Sequence, residues 1–153
     1  MLWYAHGPCE IHETVPSSTF SKGDILMFTS ASSISRIPTS TASVGALANG
    51  LVVGVAMASS TESYGDKVPW VVATRDTVFW SDATTASQYT AGESLDVEYT
   101  GATFRVTTST LTPMLRIMPR GDSVDMNAIN SAKSLVFVKF DETMLQFRAY
   151  RRL

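Results

Sequence analysis

Apolar and β-branched residues are densest between residues 50 and 80, where polar segments divide them into short runs. Residues 50–57 and 68–73 are almost wholly apolar, which predicts two buried strands. A third run, residues 77–80, follows a polar tetrad closely, so we expect it to fold back on the second as a hairpin. Gly54 within the first run predicts a close backbone approach or a bend. This stretch is the expected centre of the fold.

Alternation of apolar and polar residues predicts further strands in the second half of the chain. Residues 94–100 alternate strictly, which predicts a half-buried strand with Asp96 and Glu98 facing solvent. Residues 103–108 repeat the pattern after a tight turn. Residues 134–140 are apolar on both faces, so we expect them to lie centrally in a sheet.

Shorter patterns complete the predicted elements. Additional strands are expected at residues 25–29, 33–37, 114–118 and 144–151. Residues 39–49 are small and polar, which predicts a loop or one loose turn. Asp122 or Ser123 can cap a helix over residues 124–132, and this is the one helix that the sequence predicts.

The first residues differ from the rest of the chain. Pro8 and Pro16 interrupt any continuous helix or central strand, so residues 1–19 are predicted to form an irregular N-terminal arm. Residues 20–153 contain no linker or repeat and are predicted to form a single β domain. About ten short strands joined by Gly, Pro and Ser turns predict an all-β fold, a compact β-barrel or β-sandwich with at most one short helix.

Composition supports the all-β prediction and narrows the function classes. Charged residues make up only 17% of the 153 residues, while threonine and serine, which suit sheets and turns, are abundant. The net charge of -2 leaves no strongly basic face for nucleic acid. No apolar run approaches the roughly 20 residues that span a bilayer. The first ten residues lack the features of a secretory signal, so we expect synthesis in a cytoplasm and no membrane partner.

Candidate chemistry is sparse. Asp96 and Glu98 could place their carboxyl groups roughly 6–7 Å apart, near the separation that glycosidases use, but solvent faces of strands often carry such pairs. His6, Cys9 and His12 are evenly spaced without the paired spacing of zinc sites. The sequence contains neither a nucleophile elbow nor a glycine-rich phosphate loop. We therefore predict no enzymatic activity, no cofactor and no metal.

Several residues are candidates for contacts with other molecules. Arg120-Gly121-Asp122 spells the integrin-binding tripeptide, although a three-residue match is common by chance and a turn with a helix cap is expected here. Trp70 and Trp80 are predicted to fill the core. Aromatic and basic residues near the two termini are candidate contacts to a partner surface or subunit. These candidate contacts are Leu2, Trp3, Tyr4, Tyr150, Arg151 and Arg152.

Three motifs occur in an informative order: Lys22-Gly-Asp-Ile25, Gly50-Leu-Val-Val-Gly-Val-Ala56 and Val68-Pro-Trp-Val-Val72, with a Ser/Thr/Ala-rich interval after the first. This order resembles the small capsid decoration proteins of tailed bacteriophages, also called cement or head-stabilising proteins. In that family a Lys-Gly-Asp-type turn enters one strand, and the two later motifs complete a compact β-barrel. The resemblance covers residues 21–72.

The resemblance implies a structural virion protein without catalytic activity. Such a protein is made in the host cytoplasm, binds the outer surface of the phage capsid, commonly as a homotrimer, and stabilises the head by bridging major capsid protein subunits. Two other classes stay open. A tail, fibre or baseplate β-module that contacts a host glycan should expose aromatics such as Tyr64 and Tyr89 in one groove. A small hydrolase should depend on Asp96 and Glu98.

Overall fold

The computed structural model describes residues 1–39, 43–62, 66–84, 89–110, 112–118 and 135–146, and β-strands dominate these ranges. The strands are β1 (Leu2–His6), β2 (Ile11–Pro16), β3 (Ile25–Ser30), β4 (Ser33–Arg36), β5 (Gly54–Ala56), β6 (Val68–Val72), β7 (Val78–Asp82), β8 (Ser94–Leu95), β9 (Val97–Thr100), β10 (Thr103–Val106), β11 (Leu115–Ile117) and β12 (Leu135–Phe140). The prediction of an all-β fold is confirmed.

Helical structure in the described ranges is limited to single turns. They are the short α-helix α1 (Gly45–Ala48) and two 3-10 turns, Ser60–Glu62 and Glu142–Met144. The short helix lies within residues 39–49, where the sequence predicts a loop or one loose turn. No helix among the described residues has the length and apolar character needed to cross a bilayer. The helix predicted over residues 124–132 lies outside the described residues.

Five strands close into a barrel in the order β2-β4-β3-β5-β6. A buried cluster that contains Phe20, Leu26 and Ile34 fills it around Trp70, which is 1% exposed. The indole N–H of Trp70 donates to the Thr14 hydroxyl at 2.9 Å, which satisfies the polar edge of this buried ring. The prediction that Trp70 belongs to the core is confirmed, and each of the three motifs of the resemblance contributes residues to a barrel strand.

Two glycines allow close approaches around the barrel. A Cβ atom on Gly54 would lie 2.5 Å from Cε3 of Trp70, so the close approach predicted at this glycine is confirmed. Gly23 has a φ angle of +86° in the turn before β3. The next residue, Asp24, closes that turn because its carboxylate accepts a hydrogen bond from the Ser21 N–H at 2.9 Å.

A second sheet has the order β1-β7-β12-β11-β8 and is antiparallel throughout. Strand β12 is central, as its two apolar faces predict. The larger buried cluster includes Ile25 and Val55 from the barrel together with Phe79, Leu115 and Val138 from the sheet. The barrel and the sheet therefore share one core.

The hairpin of β9 and β10 confirms the tight turn predicted after residue 100. Gly101 and Ala102, the two residues between the strands, have φ angles of +60° and +59°. Two successive residues with positive φ are typical of a type I′ turn, whose twist matches that of an antiparallel pair. Ala102 is a non-glycine residue in this conformation, which costs it free energy.

The prediction of an irregular arm over residues 1–19 is wrong. These residues form β1, which pairs with β7, and β2, which pairs with β4 and β6. The prolines do not interrupt either strand, because Pro8 lies in the connection between them and Pro16 is the last residue of β2. Both segments of the predicted arm therefore form regular strands despite the two prolines.

The predicted hairpin of residues 68–73 and 77–80 is also wrong. Strand β6 pairs with β2 and β5 in the barrel, whereas β7 pairs with β1 and β12 in the sheet. The polar tetrad does form a turn, with the Thr77 N–H donating to the Thr74 carbonyl at 3.3 Å. Because both edges of β6 are already paired with distant strands, that turn carries the chain from the barrel into the sheet.

The single strand predicted over residues 94–100 is divided at Asp96. Strand β8 belongs to the five-stranded sheet and β9 to the hairpin with β10. Asp96, between them, is 0% exposed, so the prediction that it faces solvent is wrong. Alternation fails here because Leu95, Asp96 and Val97 are all buried where the chain passes between two sheets.

Candidate binding face

Three aromatic side chains form a row across the outer face of the five-stranded sheet. Trp3 of β1 lies opposite Trp80 of β7, and Trp80 lies opposite Phe137 of β12. The Trp3 and Trp80 ring centroids are 6.4 Å apart with an interplanar angle of 24°, and those of Trp80 and Phe137 are 3.7 Å apart. We call these three residues the aromatic ladder.

The aromatic ladder is partly exposed because it lies on the face of the sheet that points away from the shared core. The inward neighbours Phe79 and Val138 are 0% exposed, whereas all three ladder residues retain exposed surface. The His6 ring extends the row at 6.1 Å from that of Phe137. Large aromatics with residual exposure are enriched where proteins bind partners.

A pair of positive charges adjoins the aromatic ladder. Arg116 of β11 lies directly opposite Lys139 of β12, and Lys139 is two residues after Phe137 on the same face. Within the part of the chain that the structure describes, neither side chain has an ion-pair or hydrogen-bond partner. We call Arg116 and Lys139 the cationic pair, and the aromatic ladder and the cationic pair together the binding face.

A cleft of about 390 Å³ borders the cationic pair. Besides that pair it is lined by Arg75, Asp76, Phe140, Asp141 and Glu142. The cleft therefore joins the end of the binding face to the turn that connects the barrel with the sheet. Its lining offers charged groups of both signs.

The structure separates the residues that the sequence predicts as contacts. Leu2 is 0% exposed and packs in the shared core, so the prediction that it contacts a partner is wrong. Trp3 is partly exposed and belongs to the aromatic ladder. Tyr4 packs against the core, and its hydroxyl donates to the Gly7 carbonyl at 2.7 Å. The other three candidates, Tyr150, Arg151 and Arg152, lie outside the described residues.

Of the residues of the binding face, the sequence prediction found only Trp3 and missed Trp80, Phe137, Arg116 and Lys139. Trp80 was expected in the core, but its side chain faces outward and is partly exposed. Phe137 lies in a strand that is apolar on both faces, and only the pairing order shows which face is covered. The available signal was the spacing of Phe137 and Lys139, which puts both on one side of a strand.

The carboxylate of Asp96 is enclosed by hydrogen bonds, which gives it a structural role. It accepts from the Gly45 N–H at 3.0 Å, the Val97 N–H at 2.7 Å and the Thr112 hydroxyl at 2.9 Å. Glu98, the second carboxylate of the hydrolase alternative, is partly exposed in β9. The interpretation of these two residues as a paired acid and base is therefore not supported by their surroundings.

A partly buried polar junction connects the barrel with the β9–β10 hairpin. Arg36 lies 3.4 Å from the Asp24 carboxylate, donates to the Tyr99 hydroxyl at 2.8 Å and stacks 4.6 Å from the centroid of that ring. Burial raises the pKa of Asp24, and the Ser21 N–H and Arg36 partly oppose that rise. This junction holds the two parts of the fold together.

Other candidate sites from the sequence take structural or surface positions. The imidazole of His12 donates a 2.7 Å hydrogen bond from Nε2 to the Glu10 carboxylate, and its ring lies 5.3 Å from that of Trp70. Among the described residues, no three or more His, Cys, Asp or Glu side chains are grouped so that they could hold a metal ion. Arg120 and Asp122 of the tripeptide lie outside the described residues.

The glycan-binding alternative requires exposed aromatics such as Tyr64 and Tyr89 in one groove, and Tyr89 does not meet that condition. This side chain is 2% exposed, and burial raises its pKa. Tyr64 lies outside the described residues. In the aromatic ladder, the ring faces are turned partly toward one another, which leaves less ring face free for a sugar.

Comparison of the sequence with protein-family models and with curated proteins finds no match.

Proposed function

We propose that this protein is a capsid decoration protein. In this proposal it binds the outer surface of a tailed-phage head and stabilises the head by bridging major capsid protein subunits, without catalysis. The observation that carries the proposal is the binding face: a partly exposed row of three aromatics beside two cations that have no ion-pair partner among the described residues. Such a surface suits a large protein partner better than it suits a small substrate.

The resemblance supports the identity of the partner. Its motifs fall in the barrel, where the turn at Gly23, the strand that begins at Gly54 and the strand that contains Trp70 are neighbours. The binding face lies entirely on strands outside those motifs. We therefore assign the barrel the role of scaffold and the five-stranded sheet the role of contact surface.

In this proposal the protein contacts the capsid through the face of a sheet and not through a free N-terminal arm. The first strand is fixed by its pairing with β7, and the Leu2 N–H donates to the Gly23 carbonyl at 3.0 Å. Its one ladder residue, Trp3, is held in place before binding. A preformed surface loses little conformational freedom when it binds, and many copies on one head add through multivalency.

Binding of variants to assembled heads tests the proposal. Trp3→Thr keeps a β-branched residue in an edge strand but removes the end of the aromatic ladder. We expect it to weaken binding by at least about 2 kcal/mol, which is roughly 30-fold in the dissociation constant. Ile11→Thr is the matched control, because Ile11 is 53% exposed in β2 and lies outside the binding face. Its binding should be unchanged.

Two measurements keep this test decisive. Thermal unfolding of each variant establishes that it is folded, and Trp3→Phe, which retains an aromatic ring, should restore most of the binding. Heads saturated with the protein should also break at a higher temperature than bare heads. Equal binding by the wild type, Trp3→Thr and Ile11→Thr would refute the role of the aromatic ladder, and unchanged head stability would refute the function.

The proposal includes self-association. The resemblance implies a homotrimer, which would place three binding faces on one particle and multiply weak contacts. Sedimentation equilibrium of the free protein measures the number of copies directly. A monomer at concentrations well above those needed to saturate heads would remove the trimer from the proposal.

A further inference from the structure

The cationic pair places two like charges where a sheet normally avoids them. Arg116 and Lys139 are directly opposite each other on the outer face, an arrangement that destabilises an antiparallel pair. The chain has no shortage of counter-charges, since it has 14 acidic and 12 basic residues. Within the described part of the chain, however, no carboxylate lies within 4.0 Å of either cation. The missing counter-charge is what a ligand would supply.

The other charged groups at the neighbouring cleft are already engaged. Arg75 lies 3.6 Å from Asp76 and 3.6 Å from Glu142. The carboxylate of Asp141 accepts hydrogen bonds from the Thr143 N–H at 3.0 Å and the Thr143 hydroxyl at 2.9 Å. Among the described residues that line this cleft, the charges without an ion-pair or hydrogen-bond partner are therefore those of the cationic pair.

We propose that the cationic pair is an anion subsite and that it takes a carboxylate of the protein that covers the aromatic ladder. A carboxylate has two oxygen atoms, one for the guanidinium fork of Arg116 and one for the ammonium group of Lys139. Lys139 follows Phe137 on the same face of one strand, so the matching partner surface carries an acidic side chain beside an apolar patch. The assignment to a partner protein rests on the proposed function.

The acidic lining of the cleft favours a carboxylate over a phosphate. Asp76, Asp141 and Glu142 surround the same space, and their charges repel a doubly charged phosphate more strongly than a singly charged carboxylate. A protein carboxylate also arrives with its neighbouring apolar surface already positioned. Both arguments point to an acidic side chain.

Acetate, which carries a single carboxylate, is a suitable probe for the anion subsite of the free, intact chain. We expect saturable changes in the amide NMR signals of β11 and β12 when acetate is added at constant ionic strength, with sodium chloride as the reference. In the double variant Arg116→Gln, Lys139→Gln, affinity should fall by at least about tenfold. The matched control is Lys22→Gln, Lys67→Gln, which removes two exposed cations elsewhere and should leave the titration unchanged. Linear changes that the double variant reproduces would overturn the proposal.

Two further comparisons separate the sources of the anion and the two proposals. If inorganic phosphate binds more than about tenfold more tightly than acetate, the carboxylate assignment is overturned. The Arg116→Gln, Lys139→Gln variant should bind heads at least about tenfold more weakly than the wild type. Trp3→Thr should still bind acetate, so its loss of head binding tests the proposed function alone. Saturable acetate binding without any head binding would leave the anion subsite in place and refute the partner.

Discussion

Replacement of Asp96 by alanine tests the role that the structure gives this residue. The carboxylate is 0% exposed and accepts hydrogen bonds from the N–H groups of Gly45 and Val97 and from the Thr112 hydroxyl. A Cβ atom on Gly45 would lie 2.8 Å from one Asp96 oxygen, so the approach requires glycine. Asp96 thus joins α1, the junction of β8 and β9, and the segment before β11.

The expected loss follows from the groups left without acceptors. Asp96→Ala leaves two backbone N–H groups unpaired in the interior, and each costs about 1–3 kcal/mol. The free energy of unfolding should therefore fall by about 2–6 kcal/mol, a large part of the total stability of a typical domain. Asp96→Asn keeps an oxygen for both N–H groups, while its amide can donate to Thr112, so it should lose half as much or less.

Urea denaturation followed by circular dichroism measures these losses. Glu98→Ala is the matched control, because Glu98 is the partly exposed carboxylate two residues away, and it should cost less than about 1 kcal/mol. If Asp96→Ala and Glu98→Ala cost the same small amount, the reasoning is refuted. The same pair separates this role from catalysis, which would affect turnover in Asp96→Asn without such a loss of stability.

Four other changes have expected outcomes that unfolding experiments can check. Ala102→Gly relieves a φ of +59° at an exposed turn and should raise the free energy of unfolding by about 0.5–1 kcal/mol in urea titrations, after the entropy cost of glycine is subtracted. Gly54→Ala places a methyl group against the Trp70 ring and should lower the free energy of unfolding by about 3 kcal/mol, measured in the same way. Burial raises the pKa of the Asp24 carboxyl above 3.8, so the folded state binds a proton at this group more readily than the unfolded state does. In denaturation experiments at a series of pH values, the stability of the wild type relative to Asp24→Asn should therefore rise as pH falls through the folded-state pKa toward 3.8. A difference that does not change with pH would contradict this. Deletion of residues 1–12 removes β1 and should abolish cooperative thermal unfolding, whereas a folded product would support a dispensable arm.

The sequence predicts the strands of this fold better than it predicts their partners. Apolar runs and turn residues correctly locate β3, β4, β10, β11 and β12, because these signals are local. Partner choice depends on contacts between residues far apart in the chain. The run that becomes β6 has β2 and β5 on its two sides, so the adjacent run that becomes β7 pairs elsewhere. Nothing within residues 68–80 encodes that competition.

The sequence also does not determine which face of a strand is buried when both faces are apolar. Alternation predicts which residues share a face, but it does not say which face is covered when both are apolar. In β12 the residues Val136, Val138 and Phe140 are buried, and Phe137 is left on the outer face. At Asp96 the alternating pattern predicts an exposed residue, but the side chain is enclosed because the chain passes from one sheet to another at this position.

The register that fills the core also builds the binding face. Trp3, Trp80 and Phe137 meet only because β1, β7 and β12 pair in one alignment, and a slip of one residue would turn each aromatic inward. Leu2 sets that alignment at the edge strand, since its side chain is fully buried and its N–H is bonded to Gly23. Leu2 therefore does not touch a partner but determines where Trp3 points. In the proposed function, binding and stability depend on the same strand pairing, so a change at Leu2 should weaken both together, whereas a change at Trp3 should weaken binding far more than stability.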